Sequence, residues 1–145
     1  MAKEYFSEEE RRNIVQAIKE AELATSGEIR VHIERHCQKD VLDRAAEVFS
    51  TLNMQKTKQR NGVLFYLAVE DHQFAIIGDA GINQVVPDHY WGDIKDHMKD
   101  RFVSGQLTLG LSDGIRMAGA QLKEHFPYQK DDVNELPDDI SFGQN

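Results

Sequence analysis

The sequence predicts a mixed α/β fold. It reads as a three-layer αβα sandwich with a small mixed sheet, one parallel crossover plus a central β-hairpin, covered by helices. Three observations carry this. Residues 63–69 (Val-Leu-Phe-Tyr-Leu-Ala-Val) form an unbroken apolar run, the pattern of a strand buried on both faces. Glu70-Asp71-His72 interrupts it and Phe74 to Ile77 resumes it, which is the signature of a hairpin. Stretches with apolar residues at helical spacing lie on both sides, so helices have a sheet to cover.

In chain order, Ser7 and Glu10 have the spacing of a capping box, in which each side chain satisfies the other's free backbone amide. Ile14, Ala17, Ile18 and Ala21 then share one helical face, so a helix is expected over about 7–24, stopped by Thr25-Ser26-Gly27. Residues 28–34 alternate: Ile29, Val31 and Ile33 point one way, and Glu28, Arg30, His32 and Glu34 the other. This predicts a strand at or near the sheet edge with one polar face. Asp40 is placed to cap a second helix, whose apolar stripe is Leu42, Ala45, Ala46, Phe49 and Leu52. Lys56, Lys58 and Arg60, just before the central strand, are read as the only basic cluster in the chain. Pro87 and Asp88 open a third helix with Tyr90, Trp91, Ile94, Met98 and Phe102 inward. Leu107, Leu111, Ile115, Ala118 and Leu122 mark a fourth. Gly110, Gly114 and Gly119 lie inside that last pattern, each costing helix stability by up to ~1 kcal/mol, and a close helix–sheet approach explains them. Residues 1–127 are thus one domain, and 128–145 an acidic C-terminal tail along the surface, with Asp131, Asp132, Glu135, Asp138 and Asp139.

Composition narrows the function classes. Seventeen basic against twenty-five acidic residues give a net charge of −8, which argues against nucleic acid, whose phosphates need a basic face. The single cysteine, Cys37, excludes an internal disulfide framework and a multi-cysteine zinc site. The N-terminus lacks an apolar signal region, and no segment approaches the ~20 apolar residues of a membrane span. A cytoplasmic monomer without membrane insertion is expected.

Four segments in order, T-S-G-E-I-R-V (25–31), R-N-G-V-L (60–64), G-D-A-G-I (78–82) and Phe102 followed by Gly110-Leu111, resemble the TPM domain family, formerly a domain of unknown function. The resemblance spans roughly residues 6–126. The family includes thylakoid-lumen proteins linked to photosystem repair, one described as an acid phosphatase, and membrane-anchored bacterial proteins, and it implies an αβα sandwich. Two departures stand out. This chain reads as a stand-alone domain, and it has Gly78-Asp79-Ala80 where many relatives have G-Y-G. Phosphatase activity is implied only by the resemblance, since Cys37 is not followed by a phosphate-binding C-x₅-R loop and no D-x-D nucleophile pair is present.

The topology gathers the start of the first strand, the start of the second and the end of the third on one edge. Glu28 and Asp79 are the candidate metal ligands there, with Asp88 from the next loop, and Asp113 if the 103–108 connection doubles back. Carbonyl oxygens of the 79–86 turn complete the shell for a hard cation, Ca²⁺ or Mg²⁺. Each residue also has a plain structural role available: Glu28 pairing with Arg60, Asp79 capping its turn, Asp88 capping the third helix. The segment does not match an EF-hand loop, and the spacing of His32, His36 and Cys37 is not a standard zinc pattern. Arg60 and Asn61 are the candidate substrate-binding residues. Three functions follow: a divalent-metal-responsive binding or regulatory module that changes a protein-partner surface, a metal-dependent phosphatase in which Arg60 holds the phosphate, and a metal-free adaptor. No nucleophile–base pair can be placed, so binding ranks above catalysis.

Overall fold

The computed structural model describes residues 2–128 and 136–143. The order along the described residues is α1 (Glu8–Glu22), β1 (Glu28–Glu34), α2 (Val41–Thr51), β2 (Gly62–Ala68), β3 (Gln73–Gly78), the single-turn α3 (Ala80–Asn83), α4 (Tyr90–Val103), α5 (Leu107–His125) and β4 (Ser141–Phe142). The strands form one mixed sheet in the order β3-β2-β1-β4. β1 and β2 run parallel with Glu28 opposite Gly62, and β2 and β3 run antiparallel with Val63 opposite Gly78. This is the expected sandwich.

Alternation along the strands divides the core. Ile29, Val31, Ile33, Val63, Phe65 and Leu67 meet α1, α4 and α5 on one face. Leu64, Tyr66 and Ala68 meet Ala45 and Val48 of α2 on the other. β2 is buried at every position, which its unbroken apolar run requires. The capping box of Ser7 and Glu10 is formed at 2.9 and 3.0 Å, and Asp40 caps α2 by accepting from the amides of Leu42 and Asp43. The α5 glycines are places of close approach: a Cβ on Gly114 would lie 2.5 Å from Met98 Sδ, and one on Gly119 2.7 Å from Ala21 Cβ of α1.

Four expectations are corrected. The polar face of β1 is buried, because Glu34 accepts hydrogen bonds from Arg44 of α2 and from Tyr66. Residues 136–143 do not trail over the surface: Ser141 and Phe142 pair with His32 and Ile33 as a fourth strand, with Ile140 and Phe142 packed on the core. Residues 129–135 lie outside the described residues. The third predicted helix begins at Tyr90 rather than at Pro87 or Asp88, because 87–90 closes a turn through Tyr90 N and Pro87 O at 3.0 Å. The 56–60 cluster is also not the sole basic one, since α1 presents Arg11, Arg12 and Lys19 beside Lys3 along one groove.

Candidate functional site

The starts of β1 and β2 and the end of β3 share one edge of the sheet, and most of the buried polar groups there come from the turns that enter the strands. Thr57 anchors the turn before β2: its carbonyl accepts from Arg60 N and its hydroxyl from Asn61 N, both at 3.2 Å. Arg60 is thereby held at φ 52°, in the left-handed region, and its carbonyl accepts from Gly81 N at 2.8 Å. A Cβ on Gly81 would collide with the carbonyls of Gln59 and Arg60, so only glycine lets the end of β3 dock on this turn.

Asp79 and Arg60 form a bidentate pair across that contact. Nε donates to Oδ2 at 2.7 Å and Nη2 to Oδ1 at 2.8 Å. Oδ1 also accepts from Ala80 N at 2.7 Å, capping α3. Asp79 is 6% exposed, and most of its lone-pair sites are taken. Its role here is to fix the loop, and its partner is the arginine that sequence reasoning assigned to Glu28 or to a phosphate.

Asn61 is different. It is 1% exposed; its carbonyl accepts from Glu28 N at 3.3 Å, and its Nδ2 donates to Ser26 Oγ at 3.3 Å. Its Oδ1 is buried without a hydrogen-bond partner, a state that costs about 1–3 kcal/mol. Glu28, joined to it through the backbone, is 2% exposed.

Two carboxyls missed from sequence join this end of β1. Glu22, the last residue of α1, accepts from Ile29 N at 2.8 Å. It shares a side-chain hydrogen bond with Asp138 and feels the charge of Glu28. Burial first, then the bond to Asp138, raises its pKa to about 10 despite the Ile29 amide. Two carboxyls in hydrogen-bond contact need a proton or a cation between them. Glu22 could have been found: it continues the i, i+4 row Ile14–Ile18 onto the buried face of the helix. Asp138 gave no such signal.

The remaining candidates stand elsewhere. Asp88 is exposed. Asp113 accepts from His97 Nε2 at 2.9 Å and Arg101 Nε at 3.3 Å, binding α5 to α4. His36 lies between Glu70 and Asp71 at 2.7 and 3.1 Å, and Cys37 Sγ donates to Lys39 O. Among the described residues, no three His, Cys, Asp or Glu side chains are arranged to hold a metal. A cation here would rely on amide, hydroxyl and backbone oxygens beside carboxylates.

The family model described as the TPM domain matches residues 2–121. The chain belongs to the TPM domain family. The solved structure of the BA42 protein from the psychrophilic bacterium Bizionia argentinensis is similar to this TPM domain over 95% of each chain, with 50% identity and a TM-score of 0.89. The N-terminal domain of a P. gingivalis protein superposes with a TM-score of 0.68 at 19% identity, covering 86% of this chain and 82% of that one. The N-terminal domain of the cg2496 protein from Corynebacterium glutamicum does so with a TM-score of 0.65 at 14% identity, covering 81% and 74%. These last two speak for the fold alone. No curated protein sequence matches. No helix among the described residues is long and apolar enough to cross a membrane.

Proposed function

We propose that this TPM domain is a divalent-cation-binding module of the Ca²⁺/Mg²⁺ type, with a regulatory output through the order of the loops at the end of the sheet. The observation that carries the reading is the Asn61 side-chain oxygen, an acceptor buried without a donor next to the buried Glu28. A cation answers such an acceptor and a carboxylate together. The all-oxygen chemistry of Asn61, Glu28, Ser26 and the Glu22–Asp138 pair suits a hard cation, which takes six to eight oxygens, and not a soft one that prefers sulfur or imidazole. The cation would also replace the proton that Glu22 and Asp138 share, since a bound ion reverses the local preference for neutral carboxyls. Asp79 contributes by pinning the loop through Arg60 rather than as a first ligand. The phosphatase reading has less support, because Arg60 Nε and Nη2 are already engaged by Asp79.

Titration with Ca²⁺ or Mg²⁺, followed by amide chemical shifts, tests this. Shifts should centre on residues 26–30, 60–62 and 78–80. Asn61→Ala and Glu28→Gln should each weaken binding at least about tenfold, equivalent to ~1.4 kcal/mol, and Asp88→Asn should leave it unchanged. Shifts confined to residues 131–139 would contradict the reading.

A further inference from the structure

The outer face of α1 is basic in a chain whose net charge is −8. Arg11, Arg12 and Lys19 line a groove of about 440 Å³ together with Lys3 of the short turn Ala2–Tyr5. Glu8 and Asp139 also line it, so cations outnumber carboxylates there by four to two. Three separate stretches of chain contribute, which makes the site concave rather than one solvated side of a helix. Its cations are poorly neutralised. Arg35, Arg44, Arg60, Arg101 and Arg116 each meet a carboxylate within 3.8 Å. Among the described residues, the side chains of Lys3, Arg11 and Lys19 meet none. Arg12 has only Glu8, 3.6 Å away, and these side chains are 68% and 80% exposed, so water and salt readily loosen the pair. Arg11 is nevertheless fixed: its Nη1 donates to the carbonyls of Lys3 and Phe6 at 3.1 and 2.7 Å. Backbone oxygens hold it, and its charge stays uncompensated.

We infer that this groove docks an extended acidic segment of another protein, with the pattern acid–x–apolar–x–acid. Charge complementarity names the occupant, and helix geometry sets its spacing. Arg11, Val15 and Lys19 follow one another at four-residue intervals along α1, about 6 Å per step at a rise of ~1.5 Å per residue. Alternate residues of an extended chain lie on one face, about 6.6–6.8 Å apart. A segment laid along α1 therefore sets one acid over Arg11, an apolar side chain over the half-buried Val15, and a second acid over Lys19. Arg12 and Lys3 reinforce the first acid. The charged row spans about 12 Å, too far for one small anion such as phosphate to bridge. A single strand of nucleic acid is long enough, but among the described residues no aromatic ring lines the groove for its bases to stack on. The surplus of acids in the chain also repels a continuous run of phosphates. Two separate carboxylates feel mainly the cations within a Debye length of ~10 Å. Charge then selects the partner, since like-charged segments are turned away. The groove contains none of Ser26, Glu28 and Asn61, so this inference is independent of the cation reading.

The test titrates the full chain into a fluorescein-labelled peptide, Gly-Ser-Glu-Ser-Leu-Ser-Glu-Ser-Gly, at low ionic strength. Binding should saturate, shift the amides of residues 11–19, and weaken as added salt screens the charges. Arg12→Glu/Lys19→Glu should weaken it at least about tenfold. Lys56→Glu/Lys99→Glu makes the same change in net charge at exposed positions outside the groove, and should leave binding within about twofold. If the reversals unfold α1, Arg12→Gln/Lys19→Gln takes their place, with a loss of at least about threefold expected. The permuted peptide Gly-Ser-Leu-Glu-Glu-Ser-Ser-Ser-Gly, with its acids adjacent, should bind at least about threefold more weakly. Absence of saturable binding to the wild-type chain would overturn the inference. So would equal losses in the two double variants, equal binding of the two peptides, or binding of oligodeoxythymidylate or phosphatidylserine vesicles in the peptide's place.

Discussion

Glu22 and Glu34 are both drawn out of solvent by the fold, and they respond in opposite directions. Burial pushes Glu34 up, but the hydrogen bonds from Arg44, Tyr66 and His32 outweigh it and hold the carboxyl at about 2. Its stabilising contribution is complete above the unfolded-state value and is lost as pH falls through about 2. Removing one partner of a buried ion pair costs about 3 kcal/mol or more. Arg44 is only 30% exposed, so Glu34→Gln should lower stability at pH 7 by about that amount, with the difference shrinking towards pH 2. Glu22 binds its proton more tightly folded than unfolded, up to about 10. Stability from that proton is present below the unfolded-state value and declines as pH rises from there through about 10. Glu22→Gln should therefore stabilise the protein at pH 8 and be neutral near pH 4. Urea denaturation at a series of pH values measures both; a pH-independent difference for either variant would contradict its assignment.

At the scale of elements, the glycines of α5 show how packing overrides propensity. Gly119 and Gly114 lose helix stability by up to ~1 kcal/mol each because α1 and α4 come too close for a methyl group. Gly119→Ala should destabilise by roughly 1–3 kcal/mol through overpacking. Gly92 in α4 has nothing within 4 Å of a Cβ position, so Gly92→Ala should stabilise by about 0.4–1 kcal/mol. Thermal melts read both, and opposite signs would refute the packing account. These helices were legible because each carries an apolar stripe with a cap or a stop, as in Ser7–Glu10 or Asp40. β2 and β3 were legible from the apolar run and its break. β4 was not: two residues at the end of a polar segment carry no periodicity, and only the presence of an open β1 edge explains their pairing. α3 was hidden for a related reason, since its single turn depends on Asp79 capping Ala80 and on Arg60 holding Asp79 in place.

At the scale of the whole molecule, the sheet brings together residues from α1, β1, the turn before β2 and the C-terminal segment. Topology made part of this readable: a parallel crossover followed by a hairpin must place Glu28, Asn61 and Asp79 at one edge. Pairing within the edge was not readable, because whether Arg60 meets Glu28 or Asp79 depends on the left-handed turn at Arg60 and on Gly81 docking against it. Glu22 and Asp138 became neighbours only through the fourth strand. The net charge of −8 favours cations in general but selects no site; the proposed site rests on the buried, unpartnered Asn61 oxygen. An ion that binds only the folded state raises stability by mass action, by ~2.7 kcal/mol at a hundredfold excess over its dissociation constant. The most direct measurement is the melting temperature in saturating Ca²⁺ and in chelator, for the wild-type chain and for Asn61→Ala. A higher melting temperature in Ca²⁺ for the wild type, with the difference largely abolished by Asn61→Ala, is the predicted result. Equal melting temperatures of the wild type in Ca²⁺ and in chelator would contradict a folded-state cation site.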